Sequence, residues 1–157
     1  MIRYVLAVFL TVALVGLGLA ALEYGSAVRG ESEIETIVTK LDAAAVELGE
    51  TADPPVAGEP PAQRRLTLQF PGDGPTSERA ETLEFRRTPE QPITHVTARI
   101  EGRALMQLRI DAPLQYGNTS EFDLAGYTGE QTVVLELIES AITKSNEPVV
   151  RITIKDA

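Results

Sequence analysis

The side chains able to do chemistry are few and scattered. His95 is the only histidine in the chain, and a lone imidazole could serve as a general base or a metal ligand. It shares its alternation with Thr97, Arg99 and Glu101, the polar phase of an apolar/polar repeat, and so reads as a surface position on a strand. Glu31, Glu33 and Glu35 could together recruit a cation, but within a charged segment of helical periodicity they read as a solvated helix face. Asp73, between Gly72 and Gly74, resembles one corner of a calcium loop whose other spaced acidic ligands are missing. Asn118-Thr119-Ser120 is an N-glycosylation acceptor in an expected loop, usable if that part of the chain is displayed outside a cell. No cysteine occurs, which excludes disulfides, thiolate catalysis and Cys-based zinc or iron–sulfur sites. There is no HExxH pair, nucleophile elbow or phosphate-binding glycine loop. With no catalytic, cofactor-binding or metal-binding set in view, the expectation is a protein that is not an enzyme.

The stronger signal lies in how the chain begins. From Tyr4 to Leu22 no residue is charged and only Thr11 is appreciably polar. That run approaches the ~20 residues a helix needs to cross a hydrocarbon core, whereas a cleavable signal has a shorter apolar region of ~7–15 residues. Gly18-Leu19-Ala20 and Gly25-Ser26-Ala27 imitate signal-cleavage sites, so a secreted domain is the competing reading. Beyond Glu23 the sequence keeps helical character. Ile34, Ile37, Val38, Leu41, Ala44, Ala45 and Leu48 form an apolar stripe of 3.6-residue period, and Gly49 follows as a candidate helix stop. An unbroken helix over 4–48 would be about 67 Å long, with Gly25 and Gly30 as weak points of about 1 kcal/mol each. The expectation is therefore a short cytoplasmic tail (1–3), a transmembrane helix (4–22) and an amphipathic stalk (23–49). Arg3 before the span and Glu23, Glu31, Glu33 and Glu35 after it orient the rest of the chain outside the cell membrane. Small residues four apart, Gly16 with Ala20 and Ala21 with Gly25, would let a second helix approach closely.

Composition narrows the partners. The formal charge is −9 at pH 7, with Lys and Arg totalling 14 against 23 acidic residues. Nucleic acid, whose phosphates require clustered Lys and Arg, is excluded as a partner. So is an anionic lipid surface bound through a basic patch. Only Lys40, Lys144 and Lys155 are lysines. An acidic, lysine-poor surface suits a protein kept soluble at high salt, where self-repulsion is screened.

After a Pro-rich linker (50–63), alternation takes over. Leu66, Leu68 and Phe70; Leu83 and Phe85; Val96, Ala98 and Ile100; Met106, Leu108 and Ile110; and Val150, Ile152 and Ile154 each alternate with polar residues. These are five strands with one packed face and one wet face, which favours antiparallel pairing. Glu101-Gly102 reads as a tight turn between two of them. Val134, Leu137, Ile138, Ala141 and Ile142 fall instead at helical spacing after a Thr128…Gln131 capping pair, with Lys144 and Asn146 at the far end. They predict a second helix, with a strand at Val133–Ile138 as the competitor. The expected fold class is α+β: a long N-terminal helix packed on an antiparallel sheet of about five strands, with one further helix before the last strand, in a β-rich domain over 64–157.

An apolar N-terminal helix that continues as an amphipathic stalk into a β-domain resembles the type IV pilin architecture. The Glu-rich, Lys-poor composition resembles that of haloarchaeal proteins. Together they suggest an uncharacterised haloarchaeal membrane protein associated with type IV pilus-like systems. The resemblance implies that the apolar half packs with membrane or pilus-like subunits while the head is displayed outside. Met1-Ile2-Arg3 stands directly before the apolar run, where a pilin precursor has a longer basic leader, and Glu23 lies at the far end of the run. The resemblance therefore implies an uncleaved minor or accessory component rather than a major filament subunit. A ligand- or protein-binding domain unrelated to filaments is the alternative. No cofactor and no small-molecule substrate is expected.

Overall fold

The computed structural model describes residues 2–52, 60–72, 74, 77–88, 91–139 and 148–155, with side chains throughout except at 2–7, 22, 23, 26 and 27. Helical backbone, α1, runs Ile2–Thr51. Its two longer stretches of described side chains, 8–21 and 28–51, differ completely. In the second, Ile34, Ile37, Val38, Leu41, Ala44, Ala45 and Leu48 are all buried, and the positions between them are exposed or half-buried, as an apolar stripe on one helix face requires. Gly49 does not end the helix. The backbone stays helical through Thr51, and the amide of Ala52 donates to the Leu48 carbonyl at 3.2 Å.

Eight strands follow: β1 Gln63–Phe70, β2 Ala80–Arg87, β3 Thr94–Ile100, β4 Met106–Ile110, β5 Leu114–Tyr116, β6 Glu121–Asp123, β7 Gly129–Glu139 and β8 Pro148–Lys155. They form two four-stranded sheets, ordered β1-β7-β8-β5 and β4-β3-β2-β6. All pairings are antiparallel except β5 with β8. The inner faces, including Leu68, Phe70, Val133, Leu135, Val150 and Ile152 from one sheet and Leu83, Phe85, Val96, Ala98 and Ile100 from the other, share one core with the α1 stripe. The sheets meet where β5 lies near β6 and β2. On the opposite side α1 lies against the edge strands β1 and β4 and reaches β3, β7 and β8. The result is a sandwich held open like a wedge, with an amphipathic helix filling the gap.

This overturns the expected architecture. The class is α+β but mostly sheet, and the strands divide between two sheets instead of forming one sheet of about five under a long helix. The five alternating runs are β1, β2, β3, β4 and β8. The second helix does not form among the described residues. Val134, Leu137 and Ile138 belong to β7, paired residue for residue with β1 and β8. The reason is that β7 is central and carries Val134 and Ile138 on its outer face as well. Val133, Leu135 and Leu137 face the core, while Val134 is 3% exposed on the other face, and apolar residues on both faces between Val133 and Ile138 mask the two-residue period. Ala141, Ile142, Lys144 and Asn146 lie outside the described residues, as do Asp73 and residues 53–59 of the linker.

The expected single-pass anchor, and with it the placement in a cell membrane with a cytoplasmic tail, is corrected as well. Among the described residues no helix is long and apolar enough to cross a membrane.

Candidate functional site

Three regions of the molecule carry features beyond packing. The first is the helical stretch 8–21. Its large apolar side chains, among them Phe9 at 72%, Leu17 at 69% and Val15 at 56% exposure, stand out on every side of the helix. Ala20 and Ala21 are exposed with them. Gly16, Gly18 and Gly25 would each meet nothing within 4 Å if a Cβ were added. Of the packing candidates, Gly16 and Gly25 thus have open space beside them, and Ala20 and Ala21 are exposed. A helix apolar all round is normally covered by other apolar surface, because leaving it in water forgoes about 25 cal/mol per Å².

The second region joins α1 to the sandwich, and here the reading of Glu31, Glu33 and Glu35 as one solvated face fails. Arg103, in the β3–β4 turn, donates from Nε and Nη2 to the two carboxylate oxygens of Glu31 at 2.9 and 2.8 Å. Its guanidinium also lies 5.2 Å from the centre of the Tyr24 ring. Those hydrogen bonds hold the Glu31 carboxyl below the ordinary glutamate range; partial burial works against them and the Arg103 charge adds to them. Hydrogen bonding to Glu31, then to Tyr24, raises the Arg103 pKa. Ser77 donates to Glu33 at 2.6 Å and accepts from the Gly72 amide at 3.2 Å, tying the β1–β2 connection to the helix. Further along, Asp42 accepts from the Asp111 amide at 2.7 Å, and Glu47 pairs with Arg64. Only Glu35 of the three stays exposed. A charge run on a helix cannot reveal which of its members meet a partner that is ~70 residues away in sequence.

The third region is a cavity of about 380 Å³ between the C-terminal end of α1 and the ends of both sheets. Its walls include Ala45, Val46, Ala112, Leu137 and Val149, and the one cation among its described lining residues is Arg87, which is 7% exposed. In β2, Arg87 has the same phase as Leu83 and Phe85, so it lies on the inner face of the sandwich. Opposite it on β3 is Thr94, fully buried, whose hydroxyl donates to the Ala112 carbonyl at 2.8 Å and accepts from the Leu114 amide at 2.9 Å. The sequence reading missed Arg87. The signal was present as a charged residue in the core phase of an alternating run, an arrangement rare without a purpose.

The remaining candidates lie elsewhere. His95 is exposed on the outer face of β3, between Arg86 and Arg109 on the neighbouring strands. Arg86 donates to Glu84 at 3.0 Å and to Glu121 at 2.7 Å, and Arg109 pairs with Asp111 at 2.8 Å. This is an outer-face ion-pair ladder. Asn118 is exposed in the turn after β5, where Gly117 has φ 58° and the Tyr116 and Thr119 backbones pair. Among the described residues no group of His, Asp and Glu is placed to hold a metal ion.

The chain belongs to a family defined by a domain of unknown function, DUF7311, whose sequence profile matches residues 1–155. No curated protein and no solved structure matches it.

Proposed function

We propose that this protein is a non-enzymatic assembly component, built on the same plan as a type IV pilin. Residues 8–21 pack among the equivalent helices of neighbouring subunits, and the β-sandwich is the displayed head. The observation that carries the reading is the apolar helical stretch 8–21, exposed on all sides. Gly16, Ala20, Ala21 and Gly25 form the small-residue strip along which a second helix comes close. The clamp of Glu31 and Glu33 on the head supports it, because it fixes the direction in which the helix leaves the sandwich. The charge of −9 and the scarcity of lysine fit work at high salt, the setting of haloarchaeal pilus-like systems. An accessory role in such an assembly follows from the resemblance.

The absence of native cysteine gives a clean test. Single substitutions Gly16→Cys and Ala20→Cys should form disulfide-linked dimers under mild oxidation, whereas His95→Cys on the head should not. Gly16→Leu should weaken association roughly tenfold by holding the helices apart, measured by sedimentation. A chain that stays monomeric and uncrosslinked at positions 16 and 20 over all salt concentrations sinks the proposal.

A further inference from the structure

We propose that the cavity at the C-terminal end of α1 binds a small monocarboxylic acid with a short apolar tail, its carboxylate held by Arg87. Several observations converge. At about 380 Å³ the cavity is within the range of small-molecule sites, which are typically apolar with a few polar groups that set orientation. All three layers of the fold contribute to it: Val46 from α1, Arg87 from one sheet, Leu137 and Val149 from the other. Arg87 is the only described charged residue less than a tenth exposed, and a guanidinium is placed on an inner face at a desolvation cost. Arg87 makes an interaction within the chain. A guanidinium offers five N–H donors in a planar fork, so that interaction and a ligand carboxylate can be held together.

The surroundings narrow the ligand further. Glu50 and Asp111 stand at the lining beside Arg87, and Asp111 is itself neutralised by Arg109 at 2.8 Å. A polyanion would meet Glu50 with several charges, whereas a monoanion whose affinity comes from its tail meets it with one. A protonated amine has no acceptor to offer the Arg87 N–H groups, whereas a carboxylate has two oxygens. The site is on the head, at the other end of α1 from residues 8–21, so it stands or falls separately from helix-mediated assembly.

The test is calorimetric titration of the full chain with sodium octanoate, octanol and octylamine. Octanoate is expected to bind with one-to-one stoichiometry, at least about tenfold tighter than octanol, with octylamine silent. Arg87→Gln should remove that tenfold preference and leave octanol binding within about twofold. Ala112→Leu, which keeps Arg87 and fills the cavity, should abolish binding of both, and it decides the matter if Arg87→Gln fails to fold. Octanoate binding that survives Ala112→Leu is binding to the exposed helix and overturns the proposal. So does octanoate no tighter than octanol, or no saturable binding up to about 10 mM. Tighter binding of an N-acetylated peptide ending in leucine would replace the small acid with a chain terminus.

Discussion

The helical stretches 8–21 and 28–51 are drawn from one run of helical backbone and have opposite fates. In 28–51 apolar residues occupy one face and the sandwich covers them. Ile34 and Ala45 are fully buried and Leu41 is 1% exposed. In 8–21 apolar residues occupy every face and the chain covers none, with Leu14 at 61% exposure. The same residue type is thus core in one stretch and exposed in the other. What separates them is not hydrophobicity but its distribution around the helix.

The comparison can be broken most directly by trimming one leucine in each stretch. Leu41→Ala should lower the unfolding free energy by about 2–5 kcal/mol, measured by urea denaturation, while Leu17→Ala should change it by less than about 0.5 kcal/mol. Equal losses would mean that the first stretch is docked in solution. A glycine in each stretch gives a smaller contrast. A Cβ on Gly30 would lie 3.0 Å from both the Glu78 carbonyl oxygen and Ile100 Cδ1, where α1 presses on the sandwich, whereas one on Gly16 meets nothing. Overpacking of about 1–3 kcal/mol, offset by about 1 kcal/mol of helix propensity, should leave Gly30→Ala destabilised by about 1 kcal/mol in the same assay. Gly16→Ala should leave the unfolding midpoint of the head in place and raise the helical circular dichroism signal slightly.

The smallest effect concerns the clamp that ties the start of the second stretch to the sandwich. Because Glu31 has a depressed pKa in the folded state, its contribution is complete above the ordinary glutamate value of about 4.3 and is lost as pH falls through the lower folded value. Glu31→Gln should therefore be less stable than the parent near neutrality, with the gap closing on acidification below that value. A gap of constant size from neutral to acid pH would show that Glu31 acts through shape and not through charge.

Much of this was legible in the residues. The stripe from Ile34 to Leu48 announces a half-buried helix, and the alternation in β1, β2, β3, β4 and β8 announces strands with one wet face. Alternation, however, carries no information about which strand lies beside which. The division into two sheets depends on pairings such as Leu66 with Val133, which no local pattern encodes. β5 and β6, at three residues each, are too short to show any period, and β7 hides its period where Val134 and Ile138 put apolar residues on its outer face too. Of the candidate site residues, the small-residue strip was visible as spacing. Arg87 was visible only as a violation of phase, and that became informative once β2 was known to face a core.

The position of α1 across β1 and β4 has one more consequence. Open sheet margins invite strands from other chains, the usual route to fibrous aggregation. Here the two long margins are guarded by the helix, and the other two, β5 and β6, extend for only three residues each. A newly made head whose helix has not yet settled would expose two unguarded margins at once. Docking of 28–51 is then the step that closes both margins and shuts the route through strands.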